Sequence, residues 1–161
     1  MAKTRPSFTH MWTHFRTIYG DGTVASVGIK IGGKVQENID LGEHQNEGFK
    51  NACAIRMSYT LGHSGVVIGK GKWLTSSGAD KKLYIYRVTD LILFLEQTFG
   101  KPDRTIKHPK PGDLAAVKGI LVFKVTGWSN ASGHATLWDG TSCSDHCFFN
   151  NATEASIWKL K

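Results

Sequence analysis

The sequence contains no apolar run approaching the ~18 residues that a membrane-spanning helix needs. Its opening, M-A-K-T-R-P-S-F-T-H-M-W, lacks the uninterrupted apolar core of a secretory leader. The expectation is therefore a soluble chain made in the cytoplasm, with no membrane insertion. Repeats, low-complexity tracts and interdomain linkers are missing too. At 161 residues and 40% apolar content the chain is sized for one domain spanning residues 1–161, which can bury roughly 70% of the surface its unfolded form exposes. Aromatic and basic residues do not interleave at an RNA-binding spacing and no helix-turn-helix pattern is present, so a nucleic-acid partner is not expected. Cysteine is scarce, with three residues in the chain.

Glycine, by contrast, is plentiful. It supplies 18 of 161 residues, against an average usage of about 7%, which favours strands joined by loops over a helical bundle. Charge is lopsided as well. The formal net charge is +7, and ten of the twenty Lys and Arg residues fall between Lys70 and Lys118 against five acids in that span. An anionic substrate fits this face, and so does plain solubility.

Ser7 reads as the cap of a first helix, because Phe8, Met11, Trp12, Phe15 and Ile18 recur at helical spacing behind it. The Gly-rich segment from Gly28 to Gly48 reads as a strand and turn through I-K-I-G-G-K-V. Asn51–Leu61 reads as a short helix ended by Gly62, with Cys53 in its first turn. Leu83–Val88 reads as a strand, and Thr89 as the cap of a helix stopped by Gly100 and Pro102. Ile120–Val125, His134–Trp138, a segment from Thr141 and the terminal S-I-W-K-L read as strands; Gly112-Asp113-Leu114 reads as a turn. Helices come early and strands late. That order points to an α+β fold with a mainly antiparallel sheet.

The chemistry concentrates in Gly127–Cys147, G-W-S-N-A-S-G-H-A-T-L-W-D-G-T-S-C-S-D-H-C, where two histidines, two aspartates and two cysteines crowd together. If Asp139-Gly140 forms a two-residue type I′ hairpin, Trp138 faces Thr141, Thr136 faces Cys143 and His134 faces Asp145. Opposed residues on one side of a sheet have Cβ atoms about 4.5 to 5.5 Å apart, close enough for a carboxylate to hold an imidazole and stabilise its charged form. A nucleophile is then needed. Cys53 stands at a helix N-terminus, where exposed N–H groups and the macrodipole favour a thiolate. Cys53, His134 and Asp145 together suit acyl transfer. A competing reading gives His134, Cys143, His146 and Cys147 to zinc, although three potential ligands within five residues is unlike the usual separated pairs. A third is a basic nucleic-acid-binding domain.

N-A-C-A-I-R-M-S-Y (Asn51–Tyr59), S-G-A-D (Ser77–Asp80), Y-I-Y-R-V (Tyr84–Val88), G-W-S-N-A-S-G-H (Gly127–His134), T-L-W-D-G (Thr136–Gly140) and C-S-D-H-C (Cys143–Cys147) resemble the fourth family of type VI secretion amidase effectors. The likeness runs in order from Arg5 almost to the C-terminus. It implies a papain-like, NlpC-type cysteine peptidase fold without a cofactor or metal, with Cys53 as nucleophile, His134 as general base and acid, and Asp145 as orienting acid. It further implies cleavage between D-glutamate and meso-diaminopimelate in peptidoglycan stem peptides, injection into a target cell's periplasm by the type VI secretion apparatus, and a cognate immunity protein. A disulfide between Cys143 and Cys147 is implied too, closing a loop around Asp145. So short a loop adds only roughly 2 kcal/mol by chain entropy, so its expected role is to fix the acid.

Trp128 and Trp138 flank His134 and are candidates to line a substrate groove, with core packing the alternative. The backbone N–H of Cys53 is the expected oxyanion donor, with Gln45 and Asn51 as candidates for a second. His10, His14, His44, His63 and His108 read as surface residues. Arg56 and His146 carry no assigned role at this level.

Overall fold

The computed structural model describes residues 4–44, 52–125 and 133–161. Helix α1 (Phe8–Tyr19) forms where expected: the Ser7 hydroxyl accepts from His10 N–H, and Met11, Phe15 and Ile18 turn inward. Helices α2 (Val24–Ile31) and α3 (Gly33–His44) follow, so the strand and turn expected through I-K-I-G-G-K-V are not formed. Val24, Val27, Ile31, Val35 and Ile39 recur every three or four residues, which is helical spacing. They pack with Ile18, Ile55 and Tyr84. Gly32 and Gly33, at φ of +68° and +60°, break one helix and start the next in a conformation that a Cβ disfavours.

Helix α4 (Cys53–His63) carries Cys53 as its first residue. Two short strands, β1 (Thr75–Ser77) and β2 (Leu83–Ile85), pair antiparallel. Helix α5 (Val88–Phe99) begins one residue before the expected cap, with Arg87 rather than Thr89 at its N-cap. Strands β3 (Arg104–Lys107), β4 (Gly119–Val125), β5 (Gly133–Trp138) and β6 (Ala152–Lys159) form an antiparallel sheet in the order β3-β6-β4-β5. Residues Pro111–Leu114 between β3 and β4 form a 3₁₀ turn. The α+β class with an antiparallel sheet is thus what the chain adopts.

One face of the four-stranded sheet meets the helices. Ile120 and Val122 of β4, Ala135 and Leu137 of β5 and Trp158 of β6 pack with Met11, Phe15, Cys53, Ala54, Met57, Leu91 and Leu95. The other face packs Leu121, Phe123, Trp138, Phe149, Ala155 and Ile157 among themselves. Side chains alternate along a strand, so His134 and Thr136 share a side of β5 with Trp138, while Ala135 and Leu137 face the helices. Gly133 permits this close pairing: a Cβ there would overlap the carbonyl oxygen of Phe123 on β4.

Candidate active site

Cys53 reaches the site because α4 starts there. Its N-cap, Ala52, has no side chain to accept from the first N–H groups of the helix, so the positive end of the helix meets the sulfur. Cys53 is 2% exposed, and its Sγ lies 3.9 Å from the carbonyl oxygen of Gly133, the residue preceding His134. That contact sets the helix start against the beginning of β5. The Cys53 side chain acts electrostatically on the His134 ring, and His134 Nε2 lies 2.9 Å from Asp145 Oδ2. The two groups form a close ion pair. With Nε2 turned to the acid, Nδ1 is the ring nitrogen on the sulfur's side. Cys53, His134 and Asp145, expected from sequence to act together, are brought together.

The route by which Asp145 arrives differs from the expected hairpin. Asp139 does not sit in a two-residue turn: its Oδ1 accepts from the N–H groups of Thr141 and Ser142 at 2.8 and 2.6 Å, an Asx-type turn that moves the reversal along the chain. Trp138 therefore pairs with Cys143, and the Ser144 N–H donates to the Leu137 carbonyl at 2.8 Å. The register is shifted by two, and no strand runs on from Thr141. Asp145 approaches from a loop closed by the Cys143–Cys147 disulfide, whose Cα atoms are 5.5 Å apart. The disulfide occupies both thiols that the zinc reading required, and His146 turns its Nε2 to Tyr19 Oη at 3.3 Å. Among the described residues no group of three or more His, Cys, Asp or Glu side chains is arranged to hold a metal.

Other expectations divide. Trp138 is 1% exposed, stacked edge-on against Phe149 and donating Nε1–H to the Leu114 carbonyl; it belongs to the core and lines no groove. Trp128, Gln45 and Asn51 lie outside the described residues, as does the side chain of His44. His10 and His108 are exposed, while His14 and His63 are half-buried with ring centroids 5.8 Å apart. Arg56 gains a role: its guanidinium donates to the Gly22 carbonyl and lies over the Tyr19 ring, tying the α1–α2 turn to the first turn of α4.

Two neighbours went unread in the sequence. Phe148 stands edge-on to the His134 ring at 4.8 Å between centroids and limits its rotation. Thr136 donates to Asp145 Oδ1 at 2.6 Å. An aromatic residue one place beyond C-x-x-x-C and a threonine two residues beyond a histidine on one strand are the signals that mark them.

Electrostatics favour a charged pair. Burial, the largest single influence on His134, opposes charging the ring; the Asp145 carboxylate and the Cys53 sulfur together outweigh it, and the imidazole is pushed up to about 9. Burial likewise pushes Asp145 upward, but His134, Thr136 and the backbone N–H of His146 hold it below the ordinary carboxylate value. The raised histidine contributes stability that is complete below its ordinary 6.5 and is lost as pH rises through about 9. The depressed carboxylate contributes above its ordinary 3.8 and loses that contribution as pH falls through its lower folded value. Both contributions are complete only between those ordinary values, 3.8 and 6.5. A cleavage rate that needs His134 protonated should fall with a basic limb near pH 9; a pH–rate profile with that limb near 6.5 would contradict the pairing.

Residues 49–158 match the family model of Tae4, type VI secretion system (T6SS) amidase effector protein 4. The chain belongs to the Tae4 family. The crystal structure of the Tae4 effector from Enterobacter cloacae is 43% identical with a TM-score of 0.90, the alignment covering 100% of both chains. The Salmonella typhimurium Tae4 effector, solved in complex with the immunity protein Tai4 from Enterobacter cloacae, is 44% identical with a TM-score of 0.89, covering 98% of this chain and 100% of that one. The Salmonella Typhimurium Tae4–Tai4 complex is 45% identical at the same TM-score of 0.89. No curated protein matches the chain. The papain-like, NlpC-type expectation thus holds for the Tae4 fold of this chain, as does its assignment as an amidase, a hydrolase.

Proposed function

We propose that the chain is an antibacterial effector that hydrolyses peptidoglycan stem peptides at the amide joining the D-glutamate side-chain carboxyl to meso-diaminopimelate, using Cys53, His134 and Asp145. The observation that carries this reading is the meeting of sulfur, imidazole and carboxylate at the start of α4 in a member of an amidase family. The Cys53 thiolate attacks the amide carbonyl carbon and forms an S–C bond. The carbonyl oxygen takes up negative charge beside the N-terminal N–H groups of α4, that of Cys53 first. As the C–N bond breaks, the His134 imidazolium gives its proton to the departing amine. Neutral His134 then takes a proton from water, which attacks the thioester; the carboxylic acid leaves and the thiolate–imidazolium pair is restored. Asp145 stays ionised and holds the ring throughout.

The net charge of +7 suits a substrate whose stem peptides carry several carboxylates, raising the encounter rate rather than the selectivity. Delivery by the type VI apparatus into the target periplasm places the enzyme at this substrate. No described helix is long and apolar enough to cross a membrane. The Salmonella typhimurium relatives were solved in complex with the immunity protein Tai4, and a cognate immunity protein is the partner proposed for this chain. Mass spectrometry of purified muropeptides tests the bond: products separated between D-glutamate and meso-diaminopimelate support the reading, and cleavage at any other linkage overturns it.

The disulfide has its own test. In the double variant Cys143→Ser/Cys147→Ser the loop carrying Asp145 loses its closure, and kcat is expected to drop about tenfold while the melting temperature falls by about 4 to 8 °C, since so short a loop contributes about 2 kcal/mol. Wild-type kcat in that variant would show that the bond does not hold the acid.

A further inference from the structure

We propose that Thr136 and Ser144 form a hydroxyl relay that positions Asp145 for His134, an inference that rests on the catalytic reading above. Thr136 Oγ1 lies 2.6 Å from Asp145 Oδ1 and 3.1 Å from Ser144 Oγ. Ser144 Oγ lies 3.0 Å from the backbone nitrogen of Leu137. Thr136 is 0% and Ser144 1% exposed, so bulk water does not reach these groups.

Counting hydrogens fixes the direction of each bond. An ionised carboxylate only accepts, so Thr136 spends its one O–H on Asp145. Thr136 then accepts from Ser144, whose own oxygen accepts the Leu137 N–H. A competing acceptor for Thr136, the Leu137 carbonyl, is 3.4 Å away and loses to the contact at 2.6 Å. The chain runs from amide N–H through two hydroxyls to the carboxylate, and each link polarises the next. One carboxylate oxygen is thereby occupied, which aims the other at His134 Nε2, 2.9 Å away. Thr136 stands two residues from His134 on the same face of β5, so a single rigid strand carries both the base and the donor that orients its acid.

The backbone alone already holds Ser144, through its N–H to the Leu137 carbonyl at 2.8 Å. The two hydroxyls are surplus to that pairing, and orienting Asp145 accounts for them. Among the described residues, Cys53 from α4 acts on the pair, and Arg16 from α1 donates Nη1–H to the Ser144 carbonyl at 3.0 Å. His146, next on the loop, is engaged by Tyr19.

The test measures muropeptide kcat and KM for Thr136→Val, Thr136→Ser and Ser144→Ala, together with the His134 imidazole titration by NMR and the melting temperature of each variant. Thr136→Val, which keeps the shape and loses the donor, should lower kcat about ten- to a hundredfold with KM within about twofold, as loss of a hydrogen bond to a charged group does. Thr136→Ser should restore most of it. Ser144→Ala should lower kcat a few-fold, and the His134 titration midpoint should fall in both Thr136→Val and Ser144→Ala. Wild-type kcat in Thr136→Val, or equal loss in Thr136→Ser and Thr136→Val, overturns the relay. Should Thr136→Val fail to fold, an unchanged His134 midpoint in Ser144→Ala overturns it instead. The NMR readout separates this inference from the one beneath it. A shifted midpoint alongside cleavage that survives Cys53→Ala would defeat the proposed function and leave the relay standing; an unshifted midpoint alongside cleavage abolished by Cys53→Ala would do the reverse.

Discussion

Cys53→Ala should reduce muropeptide cleavage by on the order of 10⁴-fold or more, since removing the nucleophile of such a site leaves only binding and oxyanion stabilisation. The fold should survive. Cys53 is packed at 2% exposure among Met11, Phe15, Ala54 and Met57, and alanine keeps the Cβ while removing one sulfur. A cavity of that size costs about 1 kcal/mol, which at this chain length moves the melting temperature by about 2 to 4 °C. Alanine's better helix propensity at the first position of α4 offsets part of the loss. Rate measurements paired with thermal melts check both halves. A variant that melts like the wild type and cleaves within tenfold of it would remove Cys53 from the chemistry.

Asp145→Asn should produce the second-largest loss, on the order of 10³-fold in kcat. The side chain keeps its shape and can still accept from Thr136, which now lies 2.6 Å from Oδ1. It can also turn its amide N–H₂ toward His134, where a donor meets a donor and the ring adopts the wrong tautomer. Without the carboxylate, burial acts on His134 unopposed by its strongest partner, so the imidazole should titrate lower than about 9. The basic limb of the pH–rate profile should move down with it. Kinetics across pH 5 to 10 check this; an unmoved limb would mean that Asp145 does not carry the charge of the pair.

The sequence disclosed the participants more readily than their geometry. Helix α1 was legible because Ser7 caps it and its apolar residues recur at helical spacing. The helices α2 and α3 were not, since the pair Gly32-Gly33 looks like a hairpin turn and α2 has only eight residues. Strand β3 leaves mostly polar residues exposed, so its alternation carries almost no hydrophobic signal, and β1 is three residues long. The His134–Asp145 contact was reached in the sequence through a wrong register. Asp139 captures two backbone N–H groups and shifts the turn, and the disulfide loop then returns Asp145 to the ring from a neighbouring position. Phe148 and Thr136 escaped notice because a phenylalanine near a cysteine, or a threonine in a strand, is ordinary until a partner is seen beside it. Arg56 was silent for the same reason: its partners, Gly22 and Tyr19, lie more than thirty residues earlier.

Alkylation of Cys53 blocks the sulfur without changing the sequence. Cys143 and Cys147 are joined to each other, which leaves Cys53 as the one sulfhydryl target for iodoacetamide. Loss of muropeptide cleavage should follow, one for one, the appearance of a single adduct that peptide mapping places on Cys53. Undiminished turnover by protein shown to be fully labelled at Cys53 would contradict it.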